Sequence, residues 1–273
     1  MARPFRKKEA KKLIAEHRHL LSQLDAVTAE LQTCRSNIKL FSDQLAEQNV
    51  TAILRNIPVE EINNREKRAF RVKTLRESGY QTVADIVPVS AQALAAVNGI
   101  SGEAAEEIKR ITGEMAAQAA LGCKIRISTD NQTPESSALV SAICRFRQLR
   151  PHADAAGQLA DASRREITEA LAALESVKGN LKWLFAAQDK RQKGMEAFCR
   201  LTDLKIGTYG AEAASLLAEY QGVQKYTEPE AWNDFAEHSI SYFNVLEEIN
   251  PGLLGNDDAL YGLPEELARE IQG

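Results

Sequence analysis

No proline or glycine stands between Arg6 and Pro58, and through that stretch the apolar residues keep strict time. Leu13, His17, Leu20, Leu24, Val27, Leu31, Cys34, Ile38, Phe41 and Leu45 follow one another by alternating steps of four and three. That spacing keeps one narrow seam on one side of a helix for about five heptads, the pattern of a coiled coil. A helix over 8–54 is predicted, about 70 Å long at 1.5 Å per residue. A helix of that length cannot bury its seam against itself, so it needs a partner.

The chain supplies one. Ile167, Leu171, Leu174, Lys178, Leu181, Phe185, Gln188, Gln192, Met195 and Cys199 repeat the same alternation. The second seam predicts a returning helix over 153–205, paired antiparallel with the first. A homodimeric coiled coil is the competing arrangement. Between the two seams lies a compact helical module at 59–120, followed by a connector at 121–150. In the module, Glu60 to Ser78 reads as one helix stopped by Gly79. Thr82 and Ser90 cap two short helices, and a longer helix begins near Glu103. In the connector, Cys123-Lys-Ile-Arg-Ile-Ser128 alternates as a short strand would. A C-terminal helical segment occupies 206–273, with Glu228–Ile249 carrying most of the aromatic residues. The expected fold class is all-α with at most one short β element. It comprises a long antiparallel coiled-coil stalk, an inserted module and a C-terminal helical segment.

Charge is unevenly placed. From Tyr226 to the end there are eleven acidic residues and one basic one, whereas residues 1–225 hold 33 Lys and Arg against 27 Asp and Glu. A basic surface with an anionic partner and an acidic segment that shields it would have this distribution.

Motifs for catalysis are missing. There is no G-x-x-x-x-G-K-[ST] and no G-x-G-x-x-G behind a strand, so neither a nucleoside triphosphate nor a dinucleotide has its usual cradle. The four histidines and four cysteines are scattered without metal-ligand spacing. No catalytic residue, metal or cofactor is expected. Apolar runs are too short to span a bilayer, and the basic start lacks the apolar stretch of a signal peptide. A cytoplasmic protein without a membrane partner is expected.

The most specific local signal is Val97-Asn98-Gly99-Ile100-Ser101-Gly102-Glu103, a glycine turn that joins two helices. Small residues let a backbone approach an anion, and amides at the start of a helix point toward it. Together with Leu75-Arg-Glu-Ser-Gly79-Tyr-Gln-Thr-Val83-Ala-Asp85-Ile86, Leu94 and Ile108-Lys109, the turn resembles a helix-hairpin-helix domain. The resemblance is specifically to the compact form seen in the C-terminal domain of the bacterial RNA polymerase alpha subunit. That resemblance implies sequence-independent binding of double-stranded DNA through Gly99, Ile100, Ser101 and Gly102. Lys109 and a basic helix bearing Arg65, Arg68, Arg71 and Lys73 would add electrostatic attraction. Two features depart from the pattern: Ser101 stands where a second glycine is usual, and Glu103 lies where basic residues often help. Residues 60–120 hold eight basic and nine acidic side chains, so the module as a whole is not basic.

A wider similarity follows the order of segments. The basic helical start, the module, Lys124-Ile-Arg-Ile-Ser128, the long return and the stretch from Trp232 and Phe235 to Leu263-Pro-Glu-Glu-Leu-Ala268 resemble bacterial Swi/Snf-type DNA helicases. The resembling region is the one that precedes their ATP-driven motor. This implies a non-catalytic DNA-binding accessory region, with a helicase motor domain docking on the C-terminal segment. The alternative is a structural coiled-coil adaptor whose module binds protein.

Overall fold

The computed structural model describes residues 5–65 and 69–254. Among them are eleven α-helices and no sheet, so the fold is all-α. In chain order they are α1 (Lys7–Arg55), α2 (Glu61–Arg65), α3 (Val72–Glu77), α4 (Val83–Ile86), α5 (Ala91–Ala95), α6 (Gly102–Gly122), α7 (Pro134–Val177), α8 (Asn180–Phe185), α9 (Gln188–Ile206), α10 (Thr208–Gly222) and α11 (Glu228–Ile249). The chain divides into two compact units, one of residues 1–36 and 142–227, the other of 37–141 and 228–273.

In the first unit, the seam of α1 is covered as its spacing requires. Leu13, His17, Leu24, Val27, Leu31 and Cys34 are buried. Three ion pairs fix how α1 and α7 run: Arg18 with Glu175, Asp25 with Arg164, and Glu30 with Arg145. As numbers rise along α1 they fall along α7, so the two helices are antiparallel within one chain. Leu13 and Ile14 share a core with Ile167, Leu171, Leu174 and Val177. Phe5 closes one end of it, stacked on Phe198 at 4.6 Å and edge-on to Trp183 at 5.8 Å.

The returning helix departs from expectation twice. It does not begin at 153, because α7 starts at Pro134 and runs straight through Pro151. Proline costs the helix one backbone hydrogen bond there. The apolar stripe Phe146, Leu149, Ala153 and Ala156 is buried on both sides of it and holds the helix together. Nor does it continue to 205. It breaks after Val177, where Gly179 adopts an extended conformation, and α8 and α9 follow as separate helices. α9 then lies against the end of α7, with Gly194 directly on the Val177 side chain. The second half of the expected seam is therefore not a seam: Leu181 and Phe185 are exposed, as is Cys199, while Trp183, Ala197 and Leu201 are buried.

In the second unit, Leu54, Val59, Ile62, Phe70, Leu75, Val83, Ile86, Leu94, Ile100, Ala105, Ile108, Ile111 and Met115 form one core. Apart from Leu54, these residues lie within the 59–120 stretch. Its first helix is two helices, α2 and α3, and not one from Glu60 to Ser78. Asn63 is the reason: its side-chain oxygen accepts from the Phe70 amide at 2.8 Å, and its amide nitrogen donates to the Phe70 carbonyl at 3.1 Å. That clasp holds Phe70 in a non-helical conformation with its ring in the core.

The expected strand Cys123–Ser128 is absent. Cys123, Ile125 and Ile127 are buried and Lys124 and Arg126 exposed, so the alternation is real, but among the described residues no second strand pairs with it. The backbone is held singly, by Asn49 Nδ2 at the Lys124 carbonyl and by a bond from the Ile125 amide to the Leu253 carbonyl. The β pairing that does occur is an isolated bridge between Pro58 and Thr82. α11 has its expected bounds but kinks at His238. Its aromatic face is bound together by edge-on contacts of Phe235 with Trp232, Tyr242 and Phe243, and Trp232 Nε1 donates to Ser137 Oγ at 3.0 Å.

Candidate nucleic-acid interface

The candidate interface is built by the turn between α5 and α6. Ser90 starts α5 by accepting a hydrogen bond from the Ala93 amide at 3.2 Å. After the helix, the Ile100 amide donates to the Val97 carbonyl at 3.0 Å, closing a four-residue turn. Its third residue is Gly99, with φ +85°. That left-handed conformation is open to glycine and costly for residues with a β-carbon. Ile100 then turns inward and is buried in the module core. The turn is thus held from below by Ile100 while Asn98, Gly99, Ser101 and Gly102 remain exposed.

Ser101 caps α6: its Oγ accepts from the Ala104 amide at 3.2 Å, and its carbonyl accepts from the Ala105 amide at 2.9 Å. Gly102 and Glu103 are the first two helical residues, whose amides precede the first that a helix can satisfy internally. A β-carbon on Gly102 would meet nothing within 4 Å, and both Gly102 and Glu103 are exposed. Ser101 thus supplies the cap that begins the helix.

The basic residues divide sharply. Arg71, just ahead of α3, reaches across to the turn, and its guanidinium lies over Gly99. Lys73 points elsewhere, 88% exposed and 3.9 Å from Glu77. Arg65 donates to Gln118 on α6. Arg76 pairs with Glu60. Arg68 lies outside the described residues. Lys109 is committed within the module, donating to the Val87 carbonyl at 2.6 Å and the Ile86 carbonyl at 3.3 Å. It thereby satisfies carbonyls at the end of α4, and burial pushes its ammonium below the ordinary lysine value. The structure therefore brings Gly99, Ser101, Gly102 and Arg71 together at one surface and leaves Arg65, Lys73 and Lys109 apart from it.

Two local hydrogen-bonded structures support the site. One is the Asn63 clasp, which sets where Arg71 departs from the backbone. The other is the capping box of α4, in which Asp85 Oδ2 accepts from the Thr82 amide at 2.8 Å and the Gln81 amide at 2.9 Å. These hydrogen bonds hold the Asp85 carboxyl below its ordinary value. Thr82-x-x-Asp85 was legible as a cap; Asn63 had no sequence signal, because its partner is seven residues away in a conformation set by the core.

Among the described residues, no three His, Cys, Asp or Glu side chains gather as a metal site, and no helix is long and apolar enough to cross a membrane. Comparison with family models, with curated proteins and with solved structures finds no match for this chain.

Proposed function

We propose that the module grips the phosphate backbone of double-stranded DNA without reading its sequence, as a non-catalytic DNA-binding accessory region. One observation carries the reading. A glycine turn with φ +85° feeds an exposed helix start, and Arg71, from the segment just ahead of α3, lies over the same turn. Amides and a guanidinium converging on one open surface suit a phosphate oxygen. Such contacts position a protein on DNA and carry no base information. In the fuller form of this proposal, the chain serves a Swi/Snf-type DNA translocase whose motor docks on the C-terminal segment.

The test is binding to a labelled random-sequence duplex at several salt concentrations. With few phosphates engaged, log K should fall with log salt with a shallow slope, about 0.9 per phosphate neutralised. Arg71→Glu should weaken binding about tenfold or more, the scale of losing one charge-assisted contact. Unchanged affinity in that variant would reject the turn as the contact.

An adaptor that binds protein through the same module is favoured by a separate observation. Arg65, Lys73, Arg76 and Lys109 each already face an acceptor within the module. Failure of the folded chain to bind duplex DNA at low salt would decide for that reading.

A further inference from the structure

The break after Val177 leaves an exposed apolar surface that the DNA proposal does not use. In α8, Trp183 is buried and pins the helix to the core of the first unit. Leu181, Leu184 and Phe185 are 71%, 64% and 81% exposed, and their spacing of three and four places them on one side. Exposed large apolar side chains grouped in this way mark interaction surfaces. The flanking sequence is basic, although Lys178 pairs with Glu175 and Arg191 donates to the Leu184 carbonyl. Residues 178–193 contain five basic side chains and one acidic. The contact of Phe5 with Trp183 brings the start of α1 alongside, and residues 6–12 add five basic and one acidic.

A surface of complementary character lies on α11. That helix has six acidic residues and no Lys or Arg. Glu237, Ile240 and Glu247 are exposed, Ile240 by 54%, with Ile240 and Glu247 seven residues apart beyond the kink at His238. Among the described residues, the chain therefore carries a basic surface with an apolar centre and an acidic surface with an apolar residue, and covers neither.

We infer that the α8 surface of one molecule docks on the outer side of α11 of a second copy of this chain. Duplex DNA would match the charge but offers its backbone no partner for three exposed apolar side chains. The second copy matches both. The contact is of one surface with a different one, so it forms closed rings or growing assemblies according to how the rotation closes. The inference stands apart from the DNA reading and does not depend on it.

Sedimentation of the full chain over about a hundredfold range of concentration, at about 50 and 500 mM salt, tests it. The expected result is a mass that climbs above the 30.1 kDa monomer with concentration and returns toward it at high salt. Lys182→Glu with Lys190→Glu should weaken association about tenfold or more, and so should Glu237→Lys with Glu247→Lys. Mixing the two doubly substituted proteins should restore association, because each then carries what the other lacks. That recovery could not come from misfolded variants. A chain that stays monomeric throughout, or association indifferent to both pairs of substitutions, or a mixture that does not recover, would overturn the inference. So would a monomeric chain whose Lys182→Glu, Lys190→Glu variant loses binding to phosphatidylglycerol vesicles or to random duplex, which would assign the surface to lipid or DNA.

Discussion

The guanidinium of Arg71 lies over Gly99: a β-carbon on that glycine would stand 3.0 Å from Arg71 Nη1. The two residues are 28 positions apart, and the module core brings them together. Replacing Gly99 by Val therefore acts twice. It places a branched residue at φ +85°, at a cost of about 1–2 kcal/mol, and it pushes Arg71 off the turn. Thermal unfolding should show the first effect. Arg71→Ala should leave the melting temperature nearly unchanged while reducing duplex binding, so comparing the two variants separates turn geometry from charge.

Lys109 should behave as a structural residue. Its ammonium donates to two carbonyls at the end of α4, which lose their partner in Lys109→Met. Denaturant unfolding should register a loss of about 1–3 kcal/mol. Duplex affinity of the folded variant should match the unmodified protein. A large loss of affinity with unchanged stability would return Lys109 to the binding surface.

Gly194 is a close-approach glycine. A β-carbon there would collide with the Val177 side chain, forcing α9 away from α7. Gly194→Ala should destabilise the chain by about 1–3 kcal/mol. Adding Val177→Ala should recover part of that loss, a non-additivity expected of touching residues and measurable by a double-mutant cycle in urea.

Glu30 ties stability to pH. Burial alone would raise its carboxyl; hydrogen bonds from Tyr220 and Arg145 outweigh it and hold the group below its ordinary value. A carboxylate depressed on folding contributes stability above its unfolded pKa, about 4.3 for Glu, and loses it as pH falls through the folded value. Glu30→Gln should be less stable at neutral pH by about 1–3 kcal/mol, since it leaves Arg145, whose side chain is 18% exposed, without its counter-charge. Its denaturation midpoint should also fall less between pH 5 and pH 3 than that of the unmodified protein.

The all-α class, the length of α1 and the antiparallel return were legible because they rest on periodicity. A seam from Leu13 to Leu45 has to be covered, and the chain holds Ile167, Leu171 and Leu174 at matching spacing. The caps at Thr82 and Ser90, and the special conformation of Gly99, were legible because they are local: each involves atoms a few residues apart. What the tertiary structure decided was continuity and partnership. α7 passes through Pro151 because buried side chains on both sides outweigh one missing hydrogen bond. The return breaks after Val177 because Gly194 allows α9 to lie against it, burying Trp183 and Leu201 in place of the seam that spacing suggested. Cys123–Ser128 alternates without a strand partner, because burial on one side sets a period of two whether or not a sheet is present. Arg71 and Lys109 look alike in the sequence; only packing across the module sends one to the turn and the other to the carbonyls of α4.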